Sequence, residues 1–546
     1  MADKLYFSRD AKLYVELTDI DGDFQGLWEI PVLDGFSFSQ STNQSEIGLN
    51  EMESTAGISR RGRRLFTDSL APAEWSFSTY VRPTNRGSNK MHLVDQVLWA
   101  AMAGADEFGG TGVTNTTTTL EGDYTRSTNP VSGVGSNSGL VYDEVGASLP
   151  SDSSAVGGLL GFQNSNRSTL PQMTLYFVFE TDPDEPMVYK LSNSIVNECS
   201  IDFDIDGIAT ANWSGFAKEV EDLKSLGLVA VASSEPSVVQ DKVWLNSGSD
   251  LKLYVPVDSG GKPVGSAAVH DAYYPAISSG VTSTNNFIRN RLTQLSVRGR
   301  NPDVMEGKPV ALSGVAQNGS VTTTTDITVA SGHGVVVGDT ISFSGIVDDN
   351  ASGNNDLQAA LNGVNHTVTA VSSTSITIDT DITSLDAYSS GGIVHTGIYN
   401  FTLTGGNITI SNNVTYLVPE ELGTINKPIE GVTGARAIGG NFTCYLVFDD
   451  TGADGDNTGA SADFFSDLVD PNKGLTKVVN DFDVTFKVGG TVSGQPRLNL
   501  NFPKVHIDVP THNIEDVIAL ETNFGAYTND FDTVDEFNME VFGVTA

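Results

Sequence analysis

The strongest constraint on this chain is that it repeats itself. Leu33, Gly35, Phe38 and Asn43 line up with Leu403, Gly405, Ile408 and Asn413, and Glu51 then falls opposite Glu421. Phe77, Tyr80 and Val81 match Phe442, Tyr445 and Leu446, and a short helical pattern follows in both places. Later, Ile201, Asp202 and Phe203 match Ile507, Asp508 and Val509. The order turn, strand, loop, strand, helix, strands holds across the whole span, which indicates one supersecondary unit used twice. Chance similarity between β-rich segments is the alternative.

The segments themselves read as strands. Leu13, Val15 and Leu17 alternate with polar neighbours, as do Trp28, Ile30 and Val32, and Ile201 and Phe203 alternate with Asp202 and Asp204. Residues 53–71 read as a long basic loop, followed by a strand from Trp75 to Val81. A helix is predicted over 90–103, with Leu93, Val94, Val97, Leu98 and Ala101 on one face, Asn89 as cap and Gly104 as stop. A second is predicted near 462–470, capped by Ser461 and stopped by Pro471. Residues 105–165 are rich in Gly, Ser, Thr and Asn and read as an extended surface loop.

The second copy is interrupted. Residues 286–298 look like its first strand, yet its turn arrives only at Gly405. Between them, short strands with dense Gly turns indicate a small closed β-module, an insertion of the kind tolerated at an exposed loop. The chain thus divides into a first unit over 1–220, a connector over 221–284, the first strand of the second unit over 285–310, an inserted module over 311–395, and the remainder of the second unit over 396–546. At about 100–200 residues per domain, this length suits about three to five domains.

Charge narrows function. With 68 acidic and 30 basic residues the net charge is −38, which opposes a direct grip on nucleic acid and suits a surface that nucleic acid slides past. The two cysteines, Cys199 and Cys444, are far apart and form no CxxC pattern, so neither a disulfide framework nor a structural zinc site is expected. The start has no basic region followed by an apolar stretch, so no signal peptide is expected. No run of about 18 apolar residues exists, so no membrane span is expected, and the chain is read as folding in a cytoplasm.

Catalytic patterns find no support: HExxH, GxSxG and GxxxxGK[ST] are all missing, and the glycines at Gly133, Gly135 and Gly139 have the wrong spacing for a nucleotide loop. Asp449, Asp450, Asp454 and Asp456 with Gly455, and Asp19, Asp21 and Asp23, lack the twelve-residue calcium pattern and read as polar turns. No cofactor or metal is expected.

The stretch from Arg60, Arg61 and Gly62 through Phe66, Asp68 and Leu70 to Glu74, Trp75, Phe77 and Tyr80 closely resembles tail tube proteins of long-tailed bacteriophages. More narrowly it resembles the type with two tandem tube domains per subunit, and the run Asn412, Asn413, Val414, Thr415, Tyr416, Leu417, Val418, Pro419 agrees. The likeness covers most of 1–220 and 396–546; the inserted module departs from the plain pattern and is similar to small β-modules common in phage structural proteins.

The resemblance implies a mainly β fold, with two tandem β-sandwich domains each flanked by a short helix. It implies trimeric, pseudo-hexameric rings stacked head to tail into a non-contractile tube. The tube would be assembled in the host cytoplasm, would belong to the virion tail, and would conduct DNA into the host. The partners implied are further copies of the chain, a tape measure protein, a tail terminator and baseplate or tail-tip proteins. DNA passes without specific binding.

In that context Asp202, Asp204 and Asp206 either line the lumen or form an ordinary solvated strand face, with His506 and Asp508 at the corresponding places in the second copy. Arg60, Arg61, Arg63 and Arg64, with Phe66 and Asp68 beyond them, suit contact with an acidic surface on an adjacent subunit or ring, since Arg pairs with carboxylates bidentately. A solvated loop and a nucleic-acid site are the other readings. The last 36 residues, from Thr511, hold eight acidic groups and no Lys or Arg. Two further classes share the β-rich composition: a tail fibre or receptor-binding adhesin, and a virion polysaccharide depolymerase. The first needs no ordered duplication; the second needs a convergent acidic or His cluster.

Overall fold

The computed structural model describes residues 5–8, 11–18, 24–33, 35–46, 65–85, 91–103, 139–142, 156–161, 170, 172–179, 187–204, 207–222, 243–245, 251–257, 266–271, 287–302, 304–350, 356–418, 427–448, 459–469, 481–490, 495–514, 517–528 and 536–543. Outside them lie Arg60, Arg61, Arg63, Arg64 and Asp206, the cap Asn89, Glu51, Glu421, and the acidic turns at 19–23 and 449–458.

The N-terminal part carries β1 (Ala11–Thr18), β2 (Phe24–Ile30), β3 (Ser37–Glu46), β4 (Leu65–Tyr80), β5 (Pro83–Asn85), β6 (Met91–Leu93), α1 (Gln96–Ala103), β7 (Gly139–Tyr142), β8 (Val156–Gly161), β9 (Gln172–Phe179), β10 (Met187–Asp204), β11 (Thr210–Ala217) and β12 (Glu219–Asp222). A three-stranded antiparallel sheet follows: β13 (Val243–Leu245), β14 (Leu251–Val257) and β15 (Ser266–Asp271). After β16 (Gln294–Gly299) come β17 (Val310–Gln317), β18 (Thr325–Val329), β19 (Thr340–Asp348), α2 (Leu357–Leu361), β20 (His366–Val371), β21 (Ser375–Ile378) and β22 (Tyr388–His395). The C-terminal part carries β23 (Ile398–Ser411), β24 (Thr415–Tyr416), β25 (Gly431–Val432), β26 (Ala437–Tyr445), α3 (Ser461–Val469), β27 (Phe482–Val488), β28 (Arg497–Ile507), β29 (Thr511–Ile514), β30 (Ile518–Ala526) and β31 (Asn538–Gly543).

In the C-terminal part six antiparallel ladders close a circuit, β23–β16–β27–β28–β30–β26 and back to β23. The N-terminal part runs β2–β1–β9–β10–β11–β4–β3 in the same succession. There β2 leads through a turn into β3, where the other part has one continuous β23. The turn is made at Gly35, whose φ of +104° admits glycine without strain. Ser37 faces Ser76 and Asn407 faces Asn441, the positions that the sequence repeat sets in correspondence.

One apolar core runs through both parts, because the alternating strands turn their large side chains the same way. Phe203 on β10 touches Phe486 on β27 with rings 5.8 Å apart. Trp99 of α1 meets Trp213 edge-on at 4.9 Å, and both are fully buried. Burying an apolar side chain of this size is worth about 1.5–3 kcal/mol. Under that pair the indole of Trp213 donates to Thr79 Oγ1 at 3.0 Å, and Thr79 donates to the buried carboxylate of Asp95 at 2.8 Å.

Several elements differ from the sequence reading. The first helix begins at Gln96, because Met91–Leu93 pairs back with Pro83–Asn85 as a hairpin. Ser461 does not cap α3: its hydroxyl donates to Tyr445 O at 2.8 Å and accepts from Val447 N at 2.9 Å, stapling the helix to the end of β26. The segment 105–165 is not only loop. Its β8 pairs with β31 in the C-terminal part, and β7 adds to β8. Residues 65–71 are strand, laddered to Thr42–Glu46 of β3 as an arm whose residues are exposed or half-buried.

The inserted strands form their own closed barrel, in the order β17–β18–β21–β20–β19–β22, around a separate core. Its entry and exit lie side by side, with Val310 paired to Val394. Gly392 (φ +106°) is required there, since a Cβ would meet Leu312 at 2.7 Å. The module is fastened to the strand beneath it by the Arg298–Asp339 ion pair and by a hydrogen bond from Arg298 to Gly334 O at 3.3 Å.

Candidate assembly surfaces

One sheet is shared by both parts, β3–β4–β11–β10–β23–β26–β30, joined at the β10–β23 ladder. Its inward residues, among them Phe77, Trp213, Cys199, Ile410 and Phe442, are buried. Its outward rows run straight across the ladders. One is Ser37, Ser76, Ser214, Glu198, Ser411. The next is Ser78, Asn212, Ser200, Thr409, Gly439. A third is Thr210, Asp202, Asn407, Asn441, Asn523. Hydroxyls, amides and a few carboxylates make up these rows, and none of them contains Lys or Arg.

Asp202 is therefore not a bare carboxylate. It accepts hydrogen bonds from Asn212 Nδ2 at 2.5 Å, from Asn407 Nδ2, and from Ser200 Oγ at 3.3 Å. Two strands and both parts of the chain meet on this one side chain. Asp204 is exposed at the end of β10, opposite Gly405. His506 and Asp508 sit exposed near the end of β28, 3.7 Å apart.

The correspondence of these last two with β10 needs correction. Phe77 faces Trp213, and two residues back Ala211 faces Ile201. Phe442 faces Thr522, and two residues back Leu520 faces His512. By ladder position Ile201 thus corresponds to His512, and Asp202 to Asn513. The reason is that the chain leaves its strand at Asp508–Pro510 before β29 resumes it.

The arm carries the other expected contact residues. Phe66 is 51 % exposed beside Leu65, 55 % exposed, at the end nearest the arginines. Asp68 is half-buried and accepts a hydrogen bond from Ser45 across the hairpin. Residues 412–418 and 427–432 take a different course: they strap onto the N-terminal part. Val414 N donates to Asn197 Oδ1 at 2.7 Å, Tyr416 OH donates to Asn193 O at 2.9 Å, and Lys427 Nζ lies 2.6 Å from Glu219. Sequence reasoning missed this strap as an internal contact, since no local signal names a partner some 200 residues away.

Two arrangements bear on other chemistry. Ser344 Oγ lies 2.7 Å from His395 Nε2, but Glu306 is 3.8 Å from Nδ1, too far for the hydrogen bond that orients a catalytic base. Among the described residues there is no group of three or more His, Cys, Asp or Glu able to hold a metal ion. Cys199 and Cys444 are free and buried, and burial pushes the Cys444 thiol up to about 12.

The protein is mainly β, with one sheet shared by two repeated sets of ladders. No family model matches the chain. Over 534 residues it is 21 % identical to the tail tube protein pb6 of Escherichia phage T5, across 97 % of this chain and 75 % of that protein. This likeness supports a phage tail tube protein, a structural component of the virion. Among solved structures the toluene transporter TbuX of Ralstonia pickettii aligns over 98 % of this chain and 90 % of that one at a TM-score of 0.06 and 8 % identity, and carries no argument.

Proposed function

We propose that the chain is a tail tube subunit built from two tandem tube domains, over 1–220 and over 285–310 with 396–546. Three chains close into a ring of six similar domains. What most supports this is the shared sheet, whose β10–β23 ladder joins two matching sets of strands edge to edge. Continued around a ring, such a sheet keeps no long free edge. Rings stack head to tail; that contact is heterologous and does not close, so it generates a filament.

The outward face of the shared sheet faces the bore in this reading. A face of hydroxyls, amides and scattered carboxylates gives phosphate no counter-charge, so a duplex passes without adhering. Asp202, Asp204, Asp206, His506 and Asp508 belong to or border that lining. The module over 311–395 projects outward, because a domain of that size inside the bore blocks a duplex. Arg60, Arg61, Arg63 and Arg64 meet carboxylates of an adjacent subunit or ring. The remaining partners are a tape measure protein, a terminator and tail-tip proteins, with assembly in the host cytoplasm and DNA ejection as the outcome. No catalytic step is involved.

Negative-stain microscopy of the purified chain tests the reading, with native mass spectrometry of the ring. Hollow tubes or stacked rings of three chains are expected. Isolated rods point to a fibre instead, and six full-length chains per ring sink the trimer.

A further inference from the structure

In the shared sheet the β10–β23 ladder joins the two parts edge to edge, and that junction is a template for a second. Correspondence can be carried along the ladders. Ser37 and Ser76 correspond to Asn407 and Asn441; Ser76 faces Ser214, and Asn441 faces Asn523. Two residues back, Asn212 faces Ser200 and Glu521 faces Thr511. Ser200, Ile201, Asp202 and Phe203 on β10 therefore correspond to Thr511, His512, Asn513 and Ile514 on β29. In the same way Asn407 and Gly406 on β23 correspond to Ser37 and Phe36 at the start of β3.

Within the chain, β10 and β23 cover each other's second edge, with Asp202 opposite Asn407 and Phe203 opposite Gly406. Their counterparts have no such cover: among the described residues β29 pairs only with β30, and β3 only with β4. The side chains show the same asymmetry. Phe203 is 2 % exposed inside the junction, whereas its counterpart Ile514 is 76 % exposed. Phe36 stacks on Phe177 at 5.3 Å, which leaves an aromatic surface at the β3 edge for an aliphatic side chain to cover.

We propose that β29 of one copy adds antiparallel to the free edge of β3 in a second copy of this chain, in the register that sets Asn513 opposite Ser37 and Ile514 opposite Phe36. The proposal rests on the tube reading and fixes which strands and which residues make the joint between subunits. Outward, Asn513 and Ser37 repeat the polar pairing of Asp202 with Asn407. Inward, Ile514 enters the apolar layer that Phe203 occupies in the template. The contact is head to tail, and three chains of two units each close it.

The arm obeys the same logic. The strap that packs Val414 and Tyr416 against Leu170 and Ile195 follows β23 as the arm follows the start of β3. Thr415 faces Val432 there, and Ser45 faces Phe66 in the arm. The arm of one copy accordingly lies on the C-terminal part of the copy whose β29 it meets, covering Leu65 and Phe66.

The test is a disulfide across the joint. Residues directly opposite in an antiparallel pair hold their Cα atoms about 4.5–5.5 Å apart, within the roughly 4.4–6.8 Å that a disulfide spans. The double variant Ser37→Cys, Asn513→Cys is oxidised after assembly and run without reductant. Bands of two and three chains are expected from it, single-chain bands from each single variant, and weak linking from the slipped pair Ser39→Cys, Asn513→Cys. The native thiols are buried and do not compete. Ile514→Asp gives a second reading: it should fold as the parent does by circular dichroism and lose its rings. Tubes that form without the 37–513 link, or an Ile514→Asp chain that assembles like the parent, overturn the register and leave the tube reading standing. An unaltered chain that forms no rings or tubes overturns both.

Discussion

Asp95 offers a sharp test of the first unit's core. Its carboxylate is completely buried, and desolvation raises its pKa from 3.8 to about 6 against the opposing effects of Thr79, Trp213 and Arg82. Below about pH 4 the folded and unfolded chains both hold the proton, and Asp95 adds no pH dependence. As pH rises to about 6 the unfolded chain has released it while the folded chain retains it. Each pKa step is worth ~1.4 kcal/mol, so a rise from 3.8 to about 6 takes about 3 kcal/mol from the folded state, a loss that is complete above about pH 6. Asp95→Asn removes that dependence while leaving an oxygen for Thr79. The amide nitrogen then sits where Asp95 Oδ1 is buried without a partner, which adds a constant penalty of about 1–3 kcal/mol. The constant term shifts the whole curve and the titration changes its slope, so the slope is the measurement. Trp99 and Trp213 report on this site by fluorescence during thermal unfolding of unassembled protein at several pH values. For a unit of about 200 residues, 3 kcal/mol corresponds to about 6–12 °C. Between about pH 4 and 7 the parent should lose about that much relative to Asp95→Asn. Parallel curves for the two proteins would refute the argument.

Three other perturbations follow from the geometry. Deleting 311–395 with a short Gly/Ser bridge should still give tubes, since Val310 and Val394 are already neighbours; a folded chain that no longer assembles counts against an external module. Changing Arg60, Arg61, Arg63 and Arg64 together to Ser should leave circular dichroism unchanged and lower the sedimenting fraction, and salt should weaken the parent in the same direction; assembly equal to the parent at every salt concentration makes the arm a merely solvated loop. Gly215→Ala should destabilise by several kcal/mol, because its Cβ would stand 2.1 Å from Ile195 O and 2.4 Å from the Trp75 ring; an unchanged melting temperature contradicts that packing.

Strand alternation was legible because most strands bury one face, as β11 does with Ala211 and Trp213 inward and Asn212 and Ser214 outward. The correspondence of Ser37 with Asn407 and of Ser76 with Asn441 was legible too, since the repeat carries it, whereas their facing each other across a ladder is a finding of the structure. Other features were hidden for physical reasons. Residues 65–71 and their partners on β3 are mostly exposed, so the arm has no buried face to impose a period and reads as loop. β8 is Val-Gly-Gly-Leu-Leu-Gly, and its partner β31 lies near the other end of the chain. The third repeat match went astray because Ile-Asp-Phe and Ile-Asp-Val share an in-out pattern, while the break after Ile507 is a tertiary fact. The partners of Asp202 were invisible for the same reason: Asn212 and Asn407 are ordinary surface amides until the ladders bring them together.

If one ring holds three chains, fusing the two units has an energetic consequence. Of six sheet joints in the ring, three are intramolecular, so their partners arrive already tethered and do not bear the cost of association, which is at least several kcal/mol per free partner. The tethered joint can therefore hold polar groups that a bimolecular joint would have to desolvate unaided. The β10–β23 joint carries Asp202, with its carboxylate held by three neighbours, and Asn412, buried and donating to Met102 O at 3.2 Å and Val196 O at 3.3 Å. The free edges differ in that direction: β29 has neutral Asn513 in place of Asp202 and places an exposed isoleucine beside it. An edge that must find its partner from solution gains from apolar area and loses where a carboxylate gives up part of its water. Exchanging the two, Asp202→Asn with Asn513→Asp, should accordingly leave the monomer's fold nearly intact and weaken ring formation through position 513 alone. Size-exclusion chromatography of the two single variants separates the effects, and equal ring yields from both would remove the distinction between tethered and free joints.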